Sequence, residues 1–187
     1  MSRLGVLALQ GGYDAHAKAL RDLGHTVDEV RTAEALERVE GLVLPGGEST
    51  THLILLERFA LETPLDTFVR SGKPVLATCC GLILCAAEVL SPPQRSFGWV
   101  DVTVARNAWG RQVHSFEANA DADSRIGPVA LVFIRAPRIQ RVGAGVTVLA
   151  TYQGEPVLVR QGNVTAGAFH PELTADRHVH ASVFGRG

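Results

Sequence analysis

Short, wholly apolar runs alternate with amphipathic stretches through the first half of the chain, and that alternation narrows the fold more than any other feature. Leu4–Leu9 (LGVLAL) has the pattern of a buried strand and leads into a Gln10-Gly11-Gly12 loop. Ala15–Leu23 has helical spacing, with Ala15, Ala19, Leu20 and Leu23 on one side and Gly24 closing it. Thr26–Val30 alternates weakly like a strand, and Ala33–Val39 has the pattern of a short helix. Gly41–Leu44 is a buried strand ending at Pro45-Gly46-Gly47. A helix is expected from Ser49 or Thr50, with one of those two residues as its cap, and another over Pro64–Ser71. Val75–Ala77 is strand-like and Gly81–Leu90 is expected to be an apolar helix. Strands joined by helices require right-handed crossovers and a largely parallel sheet.

The second half changes character. Val100–Ala105, Ala130–Arg135, Val146–Tyr152, Pro156–Arg160 and Val164–Phe169 are strand-like, with turns and few helical patterns between them. Such a block suits antiparallel additions to the parallel core. No linker or repeat interrupts the chain, so one α/β domain is expected over residues 1–187.

Charge and composition remove several classes of function. With 18 Lys+Arg against 19 Asp+Glu, the net charge of −1 argues against a nucleic-acid binder that relies on a basic surface. The apolar runs are far shorter than the ~20 residues of a membrane span, and Met1-Ser2-Arg3 leads straight into a strand with no secretory pattern. Cys79, Cys80 and Cys85 crowd into one segment, which is no disulfide framework and fits a reducing cytoplasm.

In open α/β sheets, sites form beyond the carboxyl ends of strands, and three features fall there. Pro74–Leu82 (PVLATCCGL) has the order strand, sharp turn, helix. A Cys79 sulfur at that turn stands at a helix N-terminus, where partial positive charge favours thiolate, and the Cys80 N–H faces the same space as an oxyanion donor. Taken alone, the segment fits three small buried hydrophobes better than a nucleophile. His170-Pro171-Glu172 follows the last strand, and in an extended segment residues i and i+2 share a face, so Glu172 could orient the His170 ring. Pro45–Thr51 (PGGESTT) turns tightly at a strand end and presents backbone N–H groups, with Gly47 N–H as a second oxyanion donor; a phosphate loop would need a lysine that is absent.

Together, LALQGG (Leu7–Gly12), LPGGEST (Leu44–Thr50), TCCGL (Thr78–Leu82), ARN-x-x-GRQ-x-x-SFE (Ala105–Glu117), FIRAP (Phe133–Pro137) and FHPEL (Phe169–Leu173) resemble class I glutamine amidotransferases. Within them the chain closely resembles the glutaminase subunits of two-component pyridoxal 5′-phosphate synthases. The resemblance implies a flavodoxin-like, three-layer glutaminase fold with a mostly parallel central sheet. It implies Cys79 as nucleophile, His170 as general base and acid and Glu172 as orienter. It places glutamine on Gly46, Gly47, Glu48, Arg106, Ile134 and Arg135. Charge alone suits Glu48 to the α-ammonium of glutamine and Arg106 or Arg135 to its carboxylate. A separate (β/α)₈-barrel synthase subunit is the implied partner, with Gln10 a candidate interface residue. No cofactor, metal, nucleic acid or membrane is implied. The nucleophile turn departs from the family in having Ala77 where Gly is common and Cys80 where Ala is usual, and the last helix is expected to be short.

The other histidines carry no chemistry in this reading. His16, His25 and His52 fall at positions expected to be solvated, His114 at a surface or interface, and a metal site from His170, His178 and His180 is disfavoured by loose spacing. The rival functions are a glutaminase feeding another synthase and a redox-sensing cysteine protein of related fold. Neither rival accounts for FHPE and PGGES together.

Overall fold

The computed structural model describes residues 1–106, 116–123 and 126–185, with residues 116–118 described by backbone only. His114 and most of the GRQ-x-x-SFE stretch lie outside the described residues. The first half runs β1 (Arg3–Leu7), α1 (Tyr13–Asp22), β2 (Thr26–Val30), α2 (Ala33–Glu37), β3 (Gly41–Leu44), α3 (Ser49–Arg58), α4 (Glu62–Arg70), β4 (Val75–Thr78) and α5 (Cys80–Cys85). The second half adds β5 (Ala86–Leu90), β6 (Val100–Ala105), β7 (Phe116–Ala122), β8 (Val129–Phe133), β9 (Arg138–Val142), β10 (Thr147–Tyr152), β11 (Glu155–Gln161) and β12 (Val164–Gly167). A 3₁₀ turn at Pro171–Leu173 and a last helix, α6 (His178–Phe184), complete the order.

Nine strands form one sheet in the order β2-β1-β3-β4-β12-β11-β10-β7-β8. β2, β1, β3, β4 and β12 are mutually parallel, which is the flavodoxin-like order with β12 in the fifth place. From β11 onward the pairing is antiparallel, as the second half of the chain predicts. β1, β3, β4 and β12 are buried almost throughout because helices cover both faces of a parallel sheet, so they read as continuous apolar runs. β2 alternates only weakly because it is the edge.

One expected element differs and two strands come without a sequence signal. The apolar run predicted as a helix over Gly81–Leu90 is helical only to Cys85; Ala86 turns to φ −61°, ψ 150°, and Ala86–Leu90 pairs with β6 in a separate three-stranded sheet, β5-β6-β9. A run in which Glu88 is the only polar side chain carries too little period to tell helix from strand. β7 and β9 were not anticipated either; RIQRV in β9 buries only Ile139, too little apolar pattern to announce a strand.

Candidate active site

The carboxyl ends of β1, β3, β4 and β12 meet at one place. Between β4 and α5 the backbone reverses at Cys79, which adopts φ 48°, ψ −100°, a conformation rarely held by a residue with a side chain. Its N–H is held by Gly167 O of β12 at 2.8 Å. The strain sits on Cys79 itself, so Ala77 needs no glycine freedom and lies buried in β4. Gly81 is required for packing: a methyl group there would stand 2.4 Å from Leu44 O, so only glycine lets α5 pass this close to β3. Cys80 begins α5, where the first N–H groups have no helical acceptor.

Beyond β12, His170 N–H is held by Val132 O at 2.9 Å, and His170 Nδ1 lies 2.7 Å from Glu172 Oε1. The pairing is as predicted but its route differs: Pro171–Leu173 form a 3₁₀ turn, so the two side chains meet by curvature and not along an extended strand. Burial disfavours the imidazolium, but hydrogen bonds and charge from Cys79 and Glu172 outweigh it and raise His170 to about 10. Glu172 is held below the usual carboxylate range: burial opposes ionisation, and His16 and His170 more than offset it.

Gly46 places these groups side by side. A methyl group there would stand 2.5 Å from His170 Cε1 and 3.4 Å from Cys79 Cβ. Its carbonyl accepts from Gly12 N–H at 3.2 Å, which docks the loop after β1 against the loop after β3. Gln10 fastens the same loop, its Nε2 donating to Glu48 O at 2.9 Å and lying 2.5 Å from His52 Nδ1. A methyl group at Gly47 would sit 2.6 Å from that amide.

A cleft of about 120 Å³ opens over Cys79 and is lined by Gly47, Glu48, Ser49, Ile83, Arg106, Ile134 and Arg135. Five of the six residues expected to hold glutamine are there; Gly46 lies behind the cleft, against His170. Glu48 caps α3 in place of Ser49 or Thr50: its carboxylate accepts from Thr50 N–H at 3.0 Å and from Thr51 N–H at 2.7 Å. A carboxylate reaches two N–H groups where a hydroxyl reaches one. Those bonds overcome a burial cost and hold Glu48 at about 2. Arg106 Nη2 lies 3.3 Å from Glu48 Oε1, so the two charges expected to face opposite ends of a glutamine are paired across the cleft.

Three histidines expected in solvent are buried. His16 lies beneath Glu172, His52 beside Cys80 with its Nδ1 3.1 Å from Cys80 Sγ, and His25 against Gly185 O. The apolar side of α1 carries His16, Ala17, Ala19 and Leu20, one position round from the predicted stripe; His16 and Leu20 at i and i+4 were the available signal. Burial lowers His16 and His52 to about 4 each, so both rings are neutral. His180 turns inward onto His16 while His178 pairs with Asp176, so the C-terminal histidines do not converge with His170. Among the described residues no group of three His, Cys, Asp or Glu side chains is placed to hold a metal. Nor, among them, is any helix long and apolar enough to cross a membrane.

The arrangement can perform acyl transfer: a thiol on a strained turn, an oriented imidazole, the N–H groups at the start of α5, and a small cleft lined by one carboxylate and two guanidinium groups. Known proteins share the architecture. A solved structure described as a glutamine amidotransferase superposes with a TM-score of 0.90 at 44% identity, over 96% of each chain. The PurLQS structure from Thermotoga maritima superposes at 0.74 with 15% identity over 98% of each chain, a likeness of fold alone. A pyridoxal 5′-phosphate synthase subunit PdxT from Mycobacteroides abscessus is 52% identical over 95% of this chain and 93% of its own length. The subunit of the same name from Koribacter versatilis is 50% identical over 95% and 92%. With the family model matching residues 6–186, the chain belongs to the SNO glutamine amidotransferase family.

Proposed function

We propose that this chain is the glutaminase subunit of a pyridoxal 5′-phosphate synthase, hydrolysing L-glutamine to L-glutamate and ammonia for a (β/α)₈-barrel synthase subunit in the cytoplasm. The observation that carries the reading is Cys79, held at φ 48° on the floor of the cleft beside the His170–Glu172 pair. Glutamine enters with its side-chain amide toward Cys79, while Glu48 and Arg106 or Arg135 receive its α-ammonium and α-carboxylate. The Cys79 thiolate attacks the amide carbon, and the N–H groups of Gly47 and Cys80 stabilise the resulting oxyanion. The C–N bond then breaks as His170 gives its proton to the departing nitrogen, leaving a thioester and ammonia. Water attacks the thioester, His170 takes a proton from it, and the C–S bond breaks to return the thiolate and release glutamate.

Gln10 supports a partner-sensitive site, because it ties the Gly47–Glu48 loop from a loop tip that includes the exposed Gly11. A synthase subunit that moves this tip would also move the oxyanion donors, each worth about 10²–10³ in turnover. The test is to mix the chain with a synthase subunit and measure glutamine hydrolysis and glutamine-dependent pyridoxal 5′-phosphate formation. Low hydrolysis alone and faster hydrolysis in the mixture are expected, with Cys79→Ala inactive in both. Hydrolysis that survives Cys79→Ala would overturn the nucleophile; equal turnover with and without the synthase would overturn partner control.

A further inference from the structure

The hydrogen-bonded pair at the site does not end at Glu172. Oε1 of this carboxylate faces His170, but Oε2 points into the protein and has no hydrogen bond of its own. Beside it stands His16 Nε2, 3.2 Å from Oε2 and 3.0 Å from Thr78 Oγ1. Behind it, His16 Nδ1 lies 2.9 Å from His180 Nε2. His16 and His180 are both fully buried, on helices at opposite ends of the sequence.

The proton count assigns the tautomers. A neutral imidazole has one N–H. Placed on Nδ1 of His16, it would leave the Nε2 lone pair facing the carboxylate lone pairs at 3.2 Å, which is repulsive. The proton therefore sits on Nε2, shared between Thr78 Oγ1 and the edge of Glu172 Oε2, and Nδ1 accepts from His180 Nε2–H. His180 Nδ1 is then a bare acceptor, in agreement with its having no partner, since an unpaired lone pair costs less than an unpaired N–H.

We propose that His16 and His180 are positioning residues of the triad: His180 fixes the His16 ring, whose Nε2–H holds the inner oxygen of Glu172 so that the outer oxygen stays on His170. This rests on the triad reading above and extends it by two residues that touch neither substrate nor sulfur. A carboxylate with one oxygen lightly held can rotate about its last bond, and a rotated carboxylate no longer orients an imidazole. Other charges facing the group are few. His170 is faced by Cys79 and Glu172, His16 by Glu172, His170 and His180, and His180 by His16 and Arg177.

The test measures kcat, KM and the pH dependence of glutamine hydrolysis, in the presence of the synthase subunit, for His16→Leu, His16→Gln, His180→Leu and Cys79→Ala. Loss of an orienting acid costs about 10⁴, and a residue acting through that acid should cost less, about 10–100-fold. His16→Leu is therefore expected to lower kcat by that factor and leave KM for glutamine within about 2-fold, because His16 lies outside the cleft. The alkaline limb of kcat/KM should move down by about one pH unit, because a misplaced carboxylate no longer stabilises the His170 imidazolium. His16→Gln, whose amide N–H reaches the Nε2 position, should recover most of kcat. His180→Leu should give a smaller loss of the same kind, and it carries the test if His16→Leu does not fold. A kcat for His16→Leu within 3-fold of the unaltered protein, an unmoved alkaline limb, or His16→Gln as poor as His16→Leu would overturn the proposal. Activity surviving in Cys79→Ala would instead bring down the triad reading on which it rests.

Discussion

His170 Nδ1 and Glu172 Oε1 lie 2.7 Å apart across a 3₁₀ turn that begins at the proline between them. Pro171 fixes its own φ and cannot donate a backbone hydrogen bond, so the turn itself brings the carboxylate under the ring. Glu172→Gln keeps the shape and removes the charge. Glutamine hydrolysis is expected to fall by about 10⁴ in kcat through the wrong tautomer of His170, with KM little changed because Glu172 does not line the cleft. Steady-state kinetics of the variant check this, and a kcat within tenfold of the unaltered protein would count against the orienting role.

The strain at Cys79 predicts an inverted order of stability. At most positions glycine is less stabilising than alanine. At φ 48°, ψ −100° alanine carries the penalty of a side chain in a disfavoured region and glycine does not. Cys79→Gly should therefore be more stable than Cys79→Ala by about 1 kcal/mol, with both inactive. Urea unfolding of the two variants measures the difference; alanine ahead of glycine would mean that the turn is unstrained.

Gly46→Ala introduces a methyl group 2.5 Å from His170 Cε1. The ring or the loop must shift, and a displacement of about 1 Å at a reacting group costs about 10²-fold in rate. Overpacking of this kind should also lower stability by about 1–3 kcal/mol. Activity close to that of the unaltered protein would show that His170 has more room than the geometry allows.

Glu48 does two jobs that one substitution separates from catalysis. Glu48→Ala removes the cap of α3, worth about 1 kcal/mol, and leaves Arg106 without its partner across the cleft. A lower unfolding midpoint and a raised KM for glutamine are expected, with the larger change in KM. Calorimetry and kinetics on one preparation read both, and an unchanged KM would remove Glu48 from glutamine binding.

Stability should peak near neutral pH. His16 and His52 are buried as neutral rings at about 4 in the fold, against 6.5 unfolded, and His180 is lowered in the same direction. Below pH 6.5 the unfolded chain therefore binds more protons, and each ring removes up to about 1.4 kcal/mol per pH unit down to its folded value. His170 is raised to about 10, so its contribution is complete below 6.5 and is lost as pH climbs from there toward 10. Urea midpoints at pH 5, 7 and 9 test the shape; a midpoint at pH 5 equal to that at pH 7 would contradict the buried neutral histidines.

Much of the site was legible because it depends on local geometry. A cysteine between a short strand and a helix, two glycines at a strand end and a histidine two residues before a glutamate each state their chemistry within a few positions. The parallel core was legible for the same reason, since a strand covered on both faces is an unbroken apolar run. Ala86–Leu90 was not, because that same apolar character leaves helix and strand undistinguished until β6 supplies hydrogen-bond partners. The sequence points to the wrong cap for α3 because serine and threonine are the commoner caps, and the reach of Glu48 shows only with the loop in place.

The histidines divide the two kinds of information most sharply. The pairing of His170 with Glu172 is readable from their neighbourhood in the chain. The roles of His16, His52 and His180 are not, because burial belongs to a packed surface and not to a position in a sequence. His16 meets Glu172 only when α1, the turn after β12 and α6 close over the end of the sheet, joining residues 156 and 164 positions apart. Local order specifies which groups can react. Long-range packing specifies which neutral, desolvated groups stand behind them, because only the assembled core removes the water that would otherwise solvate those rings.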